Sequence, residues 1–192
     1  MIDTFLVSKV RVKIIKLFML HTASSYHVRS IVREIDEEIN AVRRILQELE
    51  EVKMLTSEKN GNRLYYTLNK DFIFFDELLS MINKEFGIGG KIIKHKAKIG
   101  NIKMAILSNS YIQDRKKSET DIDLLIVGSQ IDNVYLDKII KDSELKLKRE
   151  INYTYLSPLE FESIKRSRED FLMDIINNKK LMLIGDELDL YK

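Results

Sequence analysis

The chain has 192 residues, 44% hydrophobic and 32% charged, a composition that fits two compact globular domains of about 100 residues each. Without a cysteine it has no disulfide, thiolate zinc site or cysteine nucleophile, and without an apolar run of about 18 residues it has no membrane-spanning helix. The net charge of +2 is too small to argue for a polyanionic partner, so any such partner must be argued from local geometry.

Helical periodicity opens the chain. Residues 1–10 carry Asp3 and one Lys before an amphipathic stretch, so no leader and a cytoplasmic location are expected. Ser8 can cap a first helix with the apolar stripe Val10, Ile14, Leu17 and Phe18. After a short extended segment at 26–28, a second helix over 29–35 carries Ile31, Val32 and Ile35. Asn40 is expected to cap a third helix, whose inner face is Val42, Ile45, Leu46, Leu49 and Val52. Two short strands, 55–58 and 64–68, flank Lys59-Asn60-Gly61-Asn62-Arg63, where Asn-Gly is a hairpin signal. A helix over 71–86 leads to Gly87-Ile88-Gly89-Gly90, a glycine density that marks a joint between domains 1–86 and 87–192.

Beyond the joint, strands and helices alternate. Residues 88–99 read as a Lys-rich helix, 104–107 and 122–127 as strands, Gly128-Ser129-Gln130 as a loop, 134–147 as a helix and 151–156 as a strand. Ser157-Pro158-Leu159-Glu160 combines a cap, a first-turn proline and a glutamate three residues on, which opens the next helix. A last strand is expected at 181–184. The fold class is therefore α+β: a helical module with a hairpin, then a mixed α/β domain. Charge is unevenly spread. Residues 1–85 hold 13 Lys/Arg and 13 Asp/Glu, whereas 86–104 hold Lys91, Lys94, Lys96, Lys98 and Lys103 with no acid. That run reads first as a solvated helix face.

Three N-terminal segments point to a known class. They are Ser8-Lys9-Val10-Arg11, the third helix from Asn40-Ala41-Val42-Arg43-Arg44 through Gln47 to Glu51, and Arg63-Leu64-Tyr65-Tyr66-Thr67-Leu68-Asn69. In the order helix, strand, helix, turn, helix and hairpin, residues 8–70 resemble the winged helix-turn-helix of ArsR-like prokaryotic repressors. The resemblance implies binding to double-stranded DNA as a homodimer, since paired half-sites match paired recognition helices. With the apolar face inward, Asn40, Ala41, Arg43, Arg44 and Gln47 project outward. Arginine can bind guanine in a bidentate way, and asparagine or glutamine can do so with adenine. Lys59, Asn60, Asn62 and Arg63 at the hairpin tip can reach phosphates or the minor groove. The competing readings are an ion-paired solvated face, or a winged module that dimerises or binds protein. His21, His27 and His95 show no metal-ligand spacing.

A second resemblance lies in Ser108-Asn109-Ser110-Tyr111 and Asp121-Ile122-Asp123-Leu124-Leu125. A serine followed eleven residues later by Asp-x-Asp on a strand is similar to minimal nucleotidyltransferase domains. Residues i and i+2 on a strand share a face, so Asp121 and Asp123 could share Mg²⁺ while Asn109 and Ser110 hold the phosphates of a nucleoside triphosphate. The sequence departs from the pattern: Asn109 and Asp114 stand where the family has glycine, and Asn152 where a third carboxylate is expected. Glu150, two residues away, is the substitute. Alternatively, Asp-Ile-Asp simply begins a strand. Through 150–154, 157–161 and 183–186 the whole chain resembles archaeal and other prokaryotic regulators that join these two domains. The resemblance implies transcriptional regulation with a degenerate, nucleotide-sensing second domain. The alternative is a Mg²⁺-dependent transferase that modifies a protein or small molecule, as antitoxin-type enzymes do.

Overall fold

The computed structural model describes residues 8–114 and 121–191. Residues 1–7, on which the expectation of no leader rests, lie outside the described residues. The chain divides into two compact units, residues 1–85 and 86–192. Both combine helices with β-sheet, and no helix among the described residues is long and apolar enough to cross a membrane.

The first unit runs α1 (Lys9–Leu20), β1 (Ser25–His27), α2 (Val28–Ile35), α3 (Ile39–Glu51), β2 (Leu55–Asn60), β3 (Arg63–Leu68) and α4 (Phe75–Glu85). Ser8 caps α1 by accepting from the Arg11 N–H. Ile14 and Phe18 of α1, Ile31 of α2, and Val42 and Leu46 of α3 are sealed from solvent and form the core. Burying side chains of that size stabilises by about 1.5–3 kcal/mol each. An antiparallel sheet in the order β1-β3-β2 closes the unit.

Four details differ from the sequence expectations. Helix α3 begins one residue before Asn40, and its cap is Glu38, whose carboxylate accepts from the Asn40 and Ala41 N–H groups. Val52 falls just past the end of α3, where the apolar stripe stops, and it is exposed. The hairpin strands are longer than expected: Asn60 pairs with Arg63, which leaves Gly61-Asn62 as a two-residue turn. Of those two only Gly61 has positive φ (59°), the backbone demand of a type II′ hairpin. Helix α4 starts at Phe75 rather than at 71, because Asn69 first closes a turn by accepting from the Asp71 N–H.

The second unit runs α5 (Ile88–Ile99), β4 (Asn101–Leu107), α6 (Asn109–Gln113), β5 (Leu124–Ser129), α7 (Asn133–Leu147), β6 (Tyr153–Leu156), α8 (Pro158–Ser167), α9 (Asp170–Asn177), β7 (Leu181–Ile184) and a 3₁₀ turn at Glu187–Leu190. The sheet order is β6-β5-β4-β7, with β5 and β6 parallel and the other pairs antiparallel. A parallel pair requires a crossover, and α7 supplies it. Strand β5 is apolar and buried along its length up to Ser129, as a strand covered on both faces must be. Leu125 and Val127 join Met104 and Ile106 against Phe161 of α8 and Leu172 and Ile175 of α9. The alternate residues turn to the other face, where α5 packs on β4 and β7 and against α7.

The helical pattern breaks at Phe86-Gly87, between α4 and α5; Gly87 caps α5, and Gly89 and Gly90 form its first turn. Gly128 belongs to β5 rather than to a loop. A Cβ there would lie 2.6 Å from the Asn101 carbonyl oxygen, so the pairing of β4 with β5 requires bare backbone at that point. The Ser157–Glu160 capping box is present at the start of α8.

Candidate functional site

Burying Val42, Ile45, Leu46 and Leu49 turns the opposite face of α3 outward, and Asn40, Arg43, Arg44 and Gln47 are all exposed, with Ala41 half-buried. Arg44 approaches Glu48 at 3.8 Å and is 73% exposed, so this contact constrains it little. Glu48 is held more closely by Arg11 of α1. Glu38 lies below the usual carboxylate range because the Asn40 and Ala41 N–H groups bond its charged form, with Arg43 adding attraction.

Between α3 and the hairpin lies a groove of about 560 Å³, whose walls include Arg29, Arg43, Gln47, Asn62 and Arg63. The structure therefore brings together three arginines from α2, α3 and β3. Arg29 sits in the first turn of α2, where a cation opposes the positive end of the helix dipole. The side chains of Arg29 and Arg63 make no hydrogen bond or ion pair among the described residues. Asn62 lies at the hairpin tip, while Lys59, Asn60 and Arg63 are exposed ladder residues rather than tip residues. Sequence reasoning missed Arg29, whose place on the groove depends on how α2 packs against β3. It also missed His27, whose Nδ1 caps α2 by accepting from the Ser30 N–H.

The acidic site of the second unit is built differently from the expectation. Strand β5 starts at Leu124, so Asp121 and Asp123 lie on its lead-in rather than within it. Asp123 is completely buried between neighbouring chain segments. Its backbone N–H donates to the Asn152 carbonyl (2.7 Å), and its carbonyl accepts from the Ser108 N–H (2.9 Å). Its side chain accepts from the Ser110 hydroxyl at 3.3 Å and from the Asn152 N–H at 2.8 Å. Both carboxylate oxygens are thus engaged by the protein. Ser110 faces that carboxylate, and Ser108 caps α6 by accepting from the Tyr111 N–H. Asn109 accepts a long bond from Gln113 at 3.5 Å.

The departures in sequence now have local causes. Asn152 donates its side-chain N–H to the Asp121 carbonyl at 3.1 Å, which an aspartate could not do. Asp114 has φ 50°, the left-handed geometry that glycine favours and aspartate tolerates, and its carboxylate pairs with Arg149 at 2.8 Å. Arg149 also donates to the Tyr111 carbonyl and lies 4.3 Å from the Tyr111 ring centre. The Tyr111 hydroxyl is pushed far up by burial; the Arg149 charge opposes the shift, while Asp123 and Asp114 add to it. Glu150 is exposed, and among the described residues no three acidic or histidine side chains gather in a geometry that could hold a metal ion. Glu150 therefore does not complete a carboxylate triad with Asp121 and Asp123 among the described residues.

No family profile and no curated protein sequence matches the chain. Among solved structures, human N-acetylserotonin methyltransferase in complex with SAM overlaps 52% of this chain at 16% identity and a TM-score of 0.32. The chain spans only 33% of that enzyme's length. A mutant of the MntA–HpeT toxin–antitoxin overlaps 54% of this chain and 77% of the matched one, at 18% identity and a TM-score of 0.35. Superpositions this loose do not define a shared fold.

Proposed function

We propose that the chain is a sequence-specific DNA-binding transcriptional regulator. In this reading the first unit works as a winged helix-turn-helix, with α3 as recognition helix and the β2–β3 hairpin as wing. The carrying observation is the groove that Arg29, Arg43 and Arg63 share, with Arg44 and Gln47 exposed on the same helix. Arg43, Arg44 and Gln47 are positioned to meet base edges in the major groove, while Arg29 and Arg63 suit the phosphates that flank it. A homodimer would offer two such helices to paired half-sites.

The second unit is read as a nucleotidyltransferase-like domain without transfer activity, because the carboxylate of Asp123 is buried and bonded on both oxygens. The half-burial of Asp121 favours the rival reading, a Mg²⁺-dependent nucleotidyltransferase that acts on a protein or small molecule. Selection of bound sequences from random duplexes tests the regulator. The Arg43→Ala, Arg44→Ala double variant should keep weak, salt-sensitive binding and lose base preference. Preference surviving that change removes α3 as the reading element. Incubation with labelled nucleoside triphosphates and Mg²⁺ tests the rival, which gains if label transfers to a substrate and the transfer vanishes in Asp121→Asn.

A further inference from the structure

The lysines at 91–103 have no part in the reading above, yet the structure gives them an unusual setting. Helix α5 turns Ile88, Ile92 and Ile99 inward, and all three are fully buried. Lys94, Lys96 and Lys98 are left exposed, and Lys103 is exposed on β4 just beyond. The side chain of none of these four makes a hydrogen bond or ion pair among the described residues. Lys94, Lys96 and Lys103 line a groove of about 580 Å³ with Gly100 and Asn101.

A solvated helix face normally mixes signs, and α7 of the same unit does so, with Asp137, Asp142 and Glu144 among Lys138, Lys141 and Lys146. Helix α5 has no acid at all. Lys94 and Lys98 lie one turn apart on α5, and Lys94, Lys96 and Lys103 share the groove; unneutralised ammonium groups so placed repel one another, and a row of phosphates relieves that repulsion. A lipid surface would instead call for apolar side chains projecting among the cations, and of the large ones here only Ile93 is exposed, at 39%.

We propose that Lys94, Lys96, Lys98 and Lys103 form a second, sequence-independent contact surface for the phosphodiester backbone of duplex DNA. This rests on the DNA-binding reading of the first unit. It assigns the two units different tasks, the first reading bases and the second adding affinity through charge alone. The class of partner follows from the chemistry: compact, rotatable ammonium donors suit phosphates and carry no base code.

The test measures binding of the full chain to a random-sequence duplex of about 30 base pairs as salt rises from about 50 to about 200 mM. Each phosphate neutralised contributes about 0.9 to the slope of log affinity against log salt. Changing Lys94, Lys96, Lys98 and Lys103 together to Gln should therefore reduce the steepness of that slope by about 3.6, with base preference in the selection assay unchanged. A charge-matched control carries Lys138, Lys141, Lys146 and Lys179 changed to Gln and should lower the slope by less than about 1. Unchanged melting curves show that both variants fold. Equal slopes in variant and control overturn the surface while leaving the regulator reading intact. Loss of base preference in the lysine variant also overturns it, since reading would then not be confined to the first unit. If the unaltered chain binds no duplex, both readings fall, and lysine-dependent binding to phosphatidylserine vesicles would then assign the surface to a membrane.

Discussion

Replacing Asp123 with alanine tests the acidic site by the sign of its effect on stability. In a working metal site, two adjacent carboxylates repel when no cation is bound, so deleting one leaves stability unchanged or raises it. Asp123 is instead a buried acceptor shared by the Ser110 hydroxyl and the Asn152 N–H. Alanine deprives both donors of their partner, and a hydrogen bond to a charged group contributes about 1.5–3 kcal/mol. The longer bond to Ser110 lies at the low end, and removing a buried charge returns part of the loss. A net destabilisation of about 2–3 kcal/mol remains. For a unit of about 100 residues, that lowers Tm by about 8–12 °C at roughly 4 °C per kcal/mol. Asp123→Asn keeps an acceptor for the Asn152 N–H and should lose less than half as much. Calorimetric melts of the three proteins, with and without Mg²⁺, give the answer. A Tm that is unchanged or higher in Asp123→Ala refutes the structural role, as does Mg²⁺ stabilisation that the variant abolishes.

Other consequences can be checked in the same way. Asn152→Asp, which nominally restores a carboxylate, should lower the urea midpoint by the equivalent of about 1–3 kcal/mol, because it replaces a donor facing the Asp121 carbonyl with an acceptor. If Asn152→Asp instead becomes stabilised by Mg²⁺, that account is wrong. Tyr153 is pushed up to about 12 by burial first, and then by its hydrogen bond to Asp137. Its stabilising contribution is thus complete below the ordinary tyrosine range near pH 10 and fades as pH rises towards 12. Tyr153→Phe should flatten the decline in stability across that window, and an unaltered decline would show that the proton on Tyr153 is not linked to folding. Gly61→Ala meets no neighbour within 4 Å but forces a side chain into positive φ. It should cost about 1–2 kcal/mol in chemical denaturation, and no loss would mean that the turn relaxes.

Local patterning made parts of the fold legible. Helix α5 has the bounds read from the sequence, because Ile88, Ile92 and Ile99 repeat at helical spacing between Gly87 and Gly100. The capping box at Ser157 and the strand at Leu181–Ile184 were equally local signals. Near α3 the apolar stripe was clear, but the cap was not. Asn40 has the better intrinsic preference for capping, and Glu38 takes the role because its longer side chain folds back onto two N–H groups. In the acidic site the residue types were visible and their fate was not. Asp123 finds Ser110 and Asn152, and Asp114 finds Arg149, across breaks in sequence that no periodicity spans. A carboxylate drawn as a ligand from spacing alone can equally be a tie between segments, and only its partners decide which.

The arginine-lined groove of the first unit also bears on the lifetime of the protein. Like charges held close together with no acid between them store repulsion in the unoccupied fold, and a polyanion laid along them releases it. Occupancy then counts towards folding: a ligand present at 100 times its dissociation constant adds about 2.7 kcal/mol to stability. If the groove binds DNA as proposed, a copy detached from it is the form that opens, and is cleaved, most readily.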